Sequence, residues 1–394
     1  MKPLLFIRRN SVGVVAVLVM VSSIFYSGLI KPIDARDIDA RYFYIAAKCW
    51  ASGESPYDVA HYMARYRAIF HAEPDGLYAA YLPTLMPVIL PMAPFNWSAA
   101  ARLFAAINFS AAMLLLWASY RLVRDLLGAP LRLIHWSWLT LGTTLGGVSA
   151  TISTGQTSLL ITAACALALL GCRLQNRAMV IAGAVIASAK PHLSAPILLF
   201  ILMFEPAQRK SMLIAGGIIA AFIAYTAALG GNFFTDYLGG INAYNAISNN
   251  DPKAQIGLGS FLASTDLSPL AIQALSVALL AVSLALAGVL RRRGHLDGRR
   301  SAMVLTLVFF STGIVHTIHG YDVCIYAMGI SLCSMLTRRM QLIYFVPAIC
   351  LWRATVLSKV IPHWTPVYIA DLGWSMLLIG CLYSAGRMMS VRTY

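Results

Sequence analysis

The sequence predicts an all-α polytopic integral membrane protein, one membrane domain over residues 1–394. Three observations carry that expectation. The chain is 59% hydrophobic and only 11% charged. Its mean hydropathy of +0.72 lies far outside the range of water-soluble domains. Apolar runs recur along it, and short basic clusters separate them.

The first run is SVGVVAVLVMVSSIFYSGLI at 11–30. It is long enough to cross a hydrocarbon core of about 30 Å at about 1.5 Å per residue. The basic MKPLLFIRRN before it would also suit a signal peptide. The length of the run and the lack of a small-x-small cleavage site favour a retained signal anchor.

A net charge of +15 invites a nucleic-acid partner, but the distribution of the charge excludes one. The basic residues sit between apolar runs: Arg8 and Arg9, Arg121 and Arg124, Arg173 and Arg177, Arg209 and Lys210, Arg291 to Arg293 with Arg299 and Arg300, and Arg338 and Arg339. That is the spacing of cytoplasmic loops under the positive-inside rule. Threading the runs between them gives about twelve crossings with both ends inside. They fall near 11–30, 101–122, 133–150, 157–172, 178–190, 192–205, 211–231, 269–290, 301–318, 321–337, 341–356 and 365–385. Residues 178–205 also suit one long tilted helix.

YLPTLMPVILPMAPF at 81–95 has prolines at 83, 87, 91 and 94. An intact helix there would lose backbone hydrogen bonds that lipid cannot replace. A broken, re-entrant segment packed inside protein is therefore expected over a full crossing. Of the fifteen acids, seven fall between residues 31 and 79. Asp236, Asp251, Asp266 and Asp322 map to the same side. Two external loops follow, 31–79 and 232–268, and the chemistry is expected on that outer face. Within the first loop, Val59, Tyr62, Met63, Tyr66, Ile69 and Phe70 recur at three-and-four spacing. They predict an amphipathic helix over 58–74, lying in the headgroup layer or packed on the rest of the protein.

The acids of DARDID, from residue 34, need solvation, pairing or use beside a bilayer. Arg36 and Arg41 are near enough to balance them. If the chain is helical from 37, however, Asp39 shares a face with Tyr42 and Phe43 and would look into an aromatic-lined cleft. A carboxylate so placed can act as general base on a hydroxyl that attacks an activated carbon, with cations holding a leaving phosphate. Three further polar motifs fall at outer helix ends: GQTS at 155–158, AKPH at 189–192 and VHTIHGYD at 315–322. They supply Gln156, Lys190, His192, His316, His319 and Asp322. His316, His319 and Asp322 have a spacing that suits zinc on one helical face. A turn at Gly320 and the lack of a supporting Cys or Glu argue against a metal. The seven cysteines show no paired metal spacing and read as small buried hydrophobes.

The string Asp39-x-x-Tyr42-Phe43-Tyr44-x-Ala46-Ala47, followed by Gly53-x-x-Pro56-Tyr57-Asp58, resembles the first-loop motif of glycosyltransferase family 87. The resemblance continues through Tyr81 and the proline-rich segment, Asn108, Gly155-Gln156 and AKPH, over roughly residues 30–200. Beyond that it rests on hydropathy and HGYD. Leu82 departs from it, standing where the family usually has a proline. The resemblance implies a GT-C fold with a helical first external loop and transfer of mannose, or another hexose or pentose, from a polyprenyl-phosphate donor. It implies an inverting single displacement, with Asp39 as the base. Lys190, His192, His316, His319 and Arg41 are the candidates for the donor phosphate. Tyr42, Tyr44, Tyr57, Tyr81, Gln156 and Asp322 are those for sugar or acceptor. The expected partners are membrane lipids, the lipid-linked donor and a glycan or glycolipid acceptor at the periplasmic side of a bacterial inner membrane, with no cofactor. The rival expectation is a transporter or flippase of lipid-linked glycans, which should show a repeated half and mid-membrane charges. No such repeat is visible. A structural subunit of an envelope assembly is a third reading.

Overall fold

The computed structural model describes residues 11–26, 38–73, 81–230, 233–245, 255–262, 265, 267–292, 298–315, 318–361 and 365–390. Apart from one isolated antiparallel bridge between Ile256 and Ile318, the regular structure of the described residues is helical. After α1 (Ser11–Phe25) come two helices of the first loop, α2 (Ile38–Ala51) and α3 (Val59–Phe70). Next are α4 (Trp97–Leu127), α5 (Leu133–Thr143), α6 (Gly146–Thr154), α7 (Ser158–Leu174), α8 (Arg177–Ala187), α9 (Pro191–Phe204) and α10 (Arg209–Ala228). The second loop contains α11 (Phe233–Asn245). The remaining long helices are α12 (Pro269–Arg292), α13 (Gly298–Phe310), α14 (Arg338–Leu357) and α15 (Pro366–Ser390).

Among the described residues four helices are long and apolar enough to cross a membrane: Trp97–Leu127, Pro206–Ala228, Leu270–Arg292 and Pro366–Met389. The twelve expected crossings thus appear as four helices of spanning length and a set of shorter ones. Hydropathy averages over the breaks that make this difference. The run at 133–150 divides at Thr144 and Leu145, and the run at 301–318 divides at Ser311. The run at 321–337 becomes 3-10 turns on either side of a short helix, Ala327–Leu332. Residues 178–205 form two helices parted at Ser188–Lys190, and Pro191, which has no N–H to lose, opens the second. Each break frees backbone groups that need partners away from water. At Thr144, the Trp352 indole N–H donates to the carbonyl at 2.9 Å.

The proline-rich segment is broken, as expected: Pro83–Leu85 and Leu90–Met92 are 3-10 turns around a single α-turn, Met86–Ile89. Ten residues in these conformations rise roughly 17 Å, short of a bilayer core. Leu85, Ile89 and Met92 are buried. The Leu82 N–H donates to Ala189 O at 3.2 Å, and Ser188 Oγ donates to Thr84 Oγ1 at 3.1 Å. The segment is therefore fastened beside Lys190.

The first loop packs on itself. Asp58 caps α3 by accepting the His61 N–H at 3.1 Å. Tyr62 donates to Tyr42 O at 3.0 Å, and the Tyr42 and Tyr66 rings stack with centroids 5.4 Å apart. The apolar face of α3 is thereby turned onto α2.

The connectors sort to two ends. At one end Arg173 reaches Asp125 O, Gln208 bonds Gln175, and Arg291 grips the Glu205 carboxylate at 2.7 and 3.1 Å. Gly298 lies against Leu126 O and Met335 at the same end. The other end collects α2, the proline-rich segment and the breaks at 155–157, 188–190 and 318–322.

Candidate active site

Asp39 lies in the first turn of α2, where exposed backbone N–H groups favour an acid. Its place is set by Gly155, the cap of α6, which has φ +69° and faces Ala40 so closely that an added Cβ would come within 2.6 Å of the Ala40 Cβ. Both demands exclude a side chain. Gly155→Ala is expected to displace α2 and lower activity about 100-fold, because shifts near 1 Å are enough to disrupt reacting geometry. Initial-rate measurements check this, and wild-type rates would show that the contact does not place Asp39.

Gln156 follows directly. Its Oε1 accepts the Tyr81 hydroxyl at 2.7 Å, and its side chain acts on the Asp39 carboxyl as a hydrogen-bonding neighbour, across the Gly155–Ala40 contact. Burial raises the pKa of Asp39 above its ordinary value, against the lowering pull of the Gln156 bond and of Lys190; Asp322 adds to the rise. A carboxylate raised in this way is a stronger base.

Behind this pair is a buried ionic centre. The Lys190 ammonium meets Asp322 Oδ1 at 2.5 Å, with side chains 5% and 0% exposed. It also donates to Ser158 Oγ at 2.9 Å, and the Ser158 hydroxyl donates to the same carboxylate oxygen. The His319 backbone N–H reaches Asp322 Oδ2 at 3.2 Å. The ammonium lies 5.1 Å from the Tyr321 ring centroid and 5.8 Å from that of Tyr81, inside the reach of a cation–π attraction. His192 acts electrostatically on Asp322, and the His319 ring stacks on Tyr321 at 4.9 Å. Gln156, Ser158, Lys190 and Asp322 are buried, whereas Asp39, Tyr81, His192, His319 and Tyr321 are partly exposed. A deep charge pair thus carries a reachable rim holding one carboxylate and two imidazoles. That is chemically fit to take a proton on one side and hold an anion on the other.

The structure thus gathers Asp39, Tyr81, Gln156, Lys190, His192, His319 and Asp322. His316 lies outside the described residues. Arg41 does not join the cluster: two residues are about 200° of helix, and its guanidinium lies over Phe70 and Trp97, 5.0 and 5.9 Å from the centroids. The expected shared face of Asp39 with Tyr42 and Phe43 is only partly seen. Phe43 packs edge-on to Tyr81 at 4.9 Å, whereas the Tyr42 ring is stacked on Tyr66. Tyr44 donates to Phe95 O, and Tyr57, buried beside Phe233 and Tyr237, donates to Tyr81 O. These two hydroxyls hold the proline-rich segment. Ser158 and Tyr321 lay within the quoted motifs but were not expected in the site. A hydroxyl in the first turn of a helix just past a glycine break is the signal that points to Ser158.

Two cavities lie elsewhere. One, of about 640 Å³, is an apolar groove between α1, α5 and α14, and the other, of about 550 Å³, lies at the basic end beside Arg173, Glu205 and Arg291. Neither is lined by the cluster.

The family model for glycosyltransferase family 87 matches residues 79–314. The matched stretch includes Tyr81, Gln156, Lys190 and His192; it begins after Asp39 and ends before His319 and Asp322. No curated protein and no solved structure matches the chain.

Proposed function

The chain belongs to glycosyltransferase family 87, and from that premise we propose that it moves a sugar, mannose or another hexose or pentose, from a polyprenyl-phosphate donor to a glycan or glycolipid acceptor. The observation that carries this reading is the placement of Asp39: partly exposed, its pKa raised by burial, and set beside the Lys190–Asp322 pair and its two histidines. In the step proposed, Asp39 takes the proton of an acceptor hydroxyl while the oxygen attacks the anomeric carbon. The bond from that carbon to the phosphate oxygen breaks, and the polyprenyl phosphate leaves with the electron pair. One displacement inverts the anomeric configuration. Lys190, His192 and His319, with His316, stabilise the phosphate as its charge develops. Tyr81 lines the sugar position with an aromatic face.

The architecture proposed is GT-C, with about twelve crossings when shorter helices pair within the bilayer. The basic connectors then face the cytoplasm of a bacterial inner membrane and the cluster faces the periplasm. This arrangement suits a donor whose tail stays in lipid while its sugar reaches the headgroup level.

The purified protein in proteoliposomes, given mannosyl polyprenyl phosphate labelled in the sugar and a glycolipid acceptor extract, is expected to move label to the acceptor and release polyprenyl phosphate. Nucleotide sugars offered alone should give no product. Turnover of nucleotide sugars without use of the lipid-linked donor would overturn the donor assignment.

A further inference from the structure

We infer that Gln156 is a positioning residue for the base, a rigid amide that transmits the fixed orientation of Tyr81 to the Asp39 carboxylate, rather than a contact for the sugar. The inference rests on the reading of Asp39 as base. A glutamine side chain has two N–H donors and one carbonyl oxygen. Here the oxygen is taken by the Tyr81 hydroxyl at 2.7 Å, which leaves the nitrogen for Asp39, brought near by the close approach of Gly155 to Ala40. The residue is only 5% exposed, which leaves little of the amide for a ligand.

The chain of restraint behind that amide is long. Tyr81 is pinned through its carbonyl by the Tyr57 hydroxyl, through the next residue by the Leu82 N–H on Ala189 O, and through its ring by the edge of Phe43. Gly155, immediately before Gln156, fixes the approach of α2 through Ala40. Three separate segments therefore hold Tyr81, and the amide that it bonds has the one arrangement of donor and acceptor that satisfies both neighbours. Glutamate in its place would present two acceptors, and leucine would present none.

The groups that act electrostatically on Asp39 are Lys190 and Asp322. Tyr81 is the titratable group of the proline-rich segment and feels both carboxylates. α6 carries no ionisable side chain. On α3, His61, Arg65 and Arg67 are paired with Asp58, Glu54 and Glu73. On α2 itself, Arg41 and Lys48 lie over aromatic rings. On α4, Arg102 is exposed. Gln156 is thus the neutral donor whose loss is felt directly by the base.

The test is the pH dependence of kcat/KM for Q156L, Q156E and Y81F in the intact protein. Removing a donor from the carboxylate favours its protonated form, so the acidic limb of Q156L is expected to move up by about one pH unit. Q156E, which sets a second carboxylate beside Asp39, is expected to move it further. Y81F, which leaves the amide in place but unanchored, is expected to move it less in the same direction. The carboxyl stretch of Asp39, isolated by infrared difference against D39N, gives the same titration without turnover and serves if Q156L is inactive. An acidic limb and a carboxyl titration that stay in place, with only KM raised, would overturn the inference and make Gln156 a substrate contact. An active D39N would defeat the base assignment instead, while leaving the carboxyl titration to report on Gln156.

Discussion

Replacing Asp39 by Asn is expected to lower the proposed sugar transfer by a factor of about 10² to 10⁴, the range that a positioned general base supplies. The substitution keeps the size of the side chain and an oxygen that can accept the Gln156 amide, and it removes proton-accepting capacity. It also removes a carboxylate that burial and Asp322 both disfavour, so the variant is expected to be as stable as the parent or slightly more so. Loss of rate with unchanged thermal unfolding therefore separates chemistry from folding. In the parent, a base whose pKa is raised loses activity as the pH falls through that value, and the acidic limb of the profile belongs to Asp39. Retention of more than a tenth of the parental rate by D39N would remove Asp39 from the mechanism.

The second large effect is expected at the buried ion pair. Lys190→Met and Asp322→Asn each leave one charge without its partner in a place where the side chains are 5% and 0% exposed. Breaking such a pair from one side costs about 3–5 kcal/mol. The double variant leaves no orphan charge, so its cost is expected to fall short of the sum of the singles by about 1–3 kcal/mol. Unfolding of the four proteins in one detergent measures this coupling, and strict additivity would refute it. Replacing both charges by apolar groups is often neutral or stabilising, so the pair is better explained by the charge it holds ready behind Tyr81 and the histidines than by stability.

Much of this arrangement was legible in the sequence because it depends on composition and local backbone rules. The basic clusters mark one end of the molecule, and contacts of residues 125, 173, 175, 205, 208, 291 and 298 bring them together there. Prolines at 83, 87 and 91 announced a helix that could not run on. The glycine of GQTS and the proline of AKPH marked breaks where polar side chains gather. The pairing of Lys190 with Asp322 was not legible: helical period assigns a residue to a face, but does not name a partner 132 positions away. The contacts of the first-loop tyrosines were not legible for a related reason. Tyr42 and Tyr44 on α2, and Tyr57 just before α3, dock α3 and the proline-rich segment, and helical spacing does not name those partners. Hydropathy does not separate helices of spanning length from shorter ones, because a helix break inside apolar sequence leaves it unchanged.

The interruption at residues 188–190 has a consequence for how the protein is made. A helix of 11 residues such as Arg177–Ala187 rises roughly 16 Å, about half of a hydrocarbon core. Released by itself from the translocon it would strand backbone carbonyls in oil. It is therefore expected to insert stably only together with the Pro191–Phe204 stretch, with Lys190 at the joint between them.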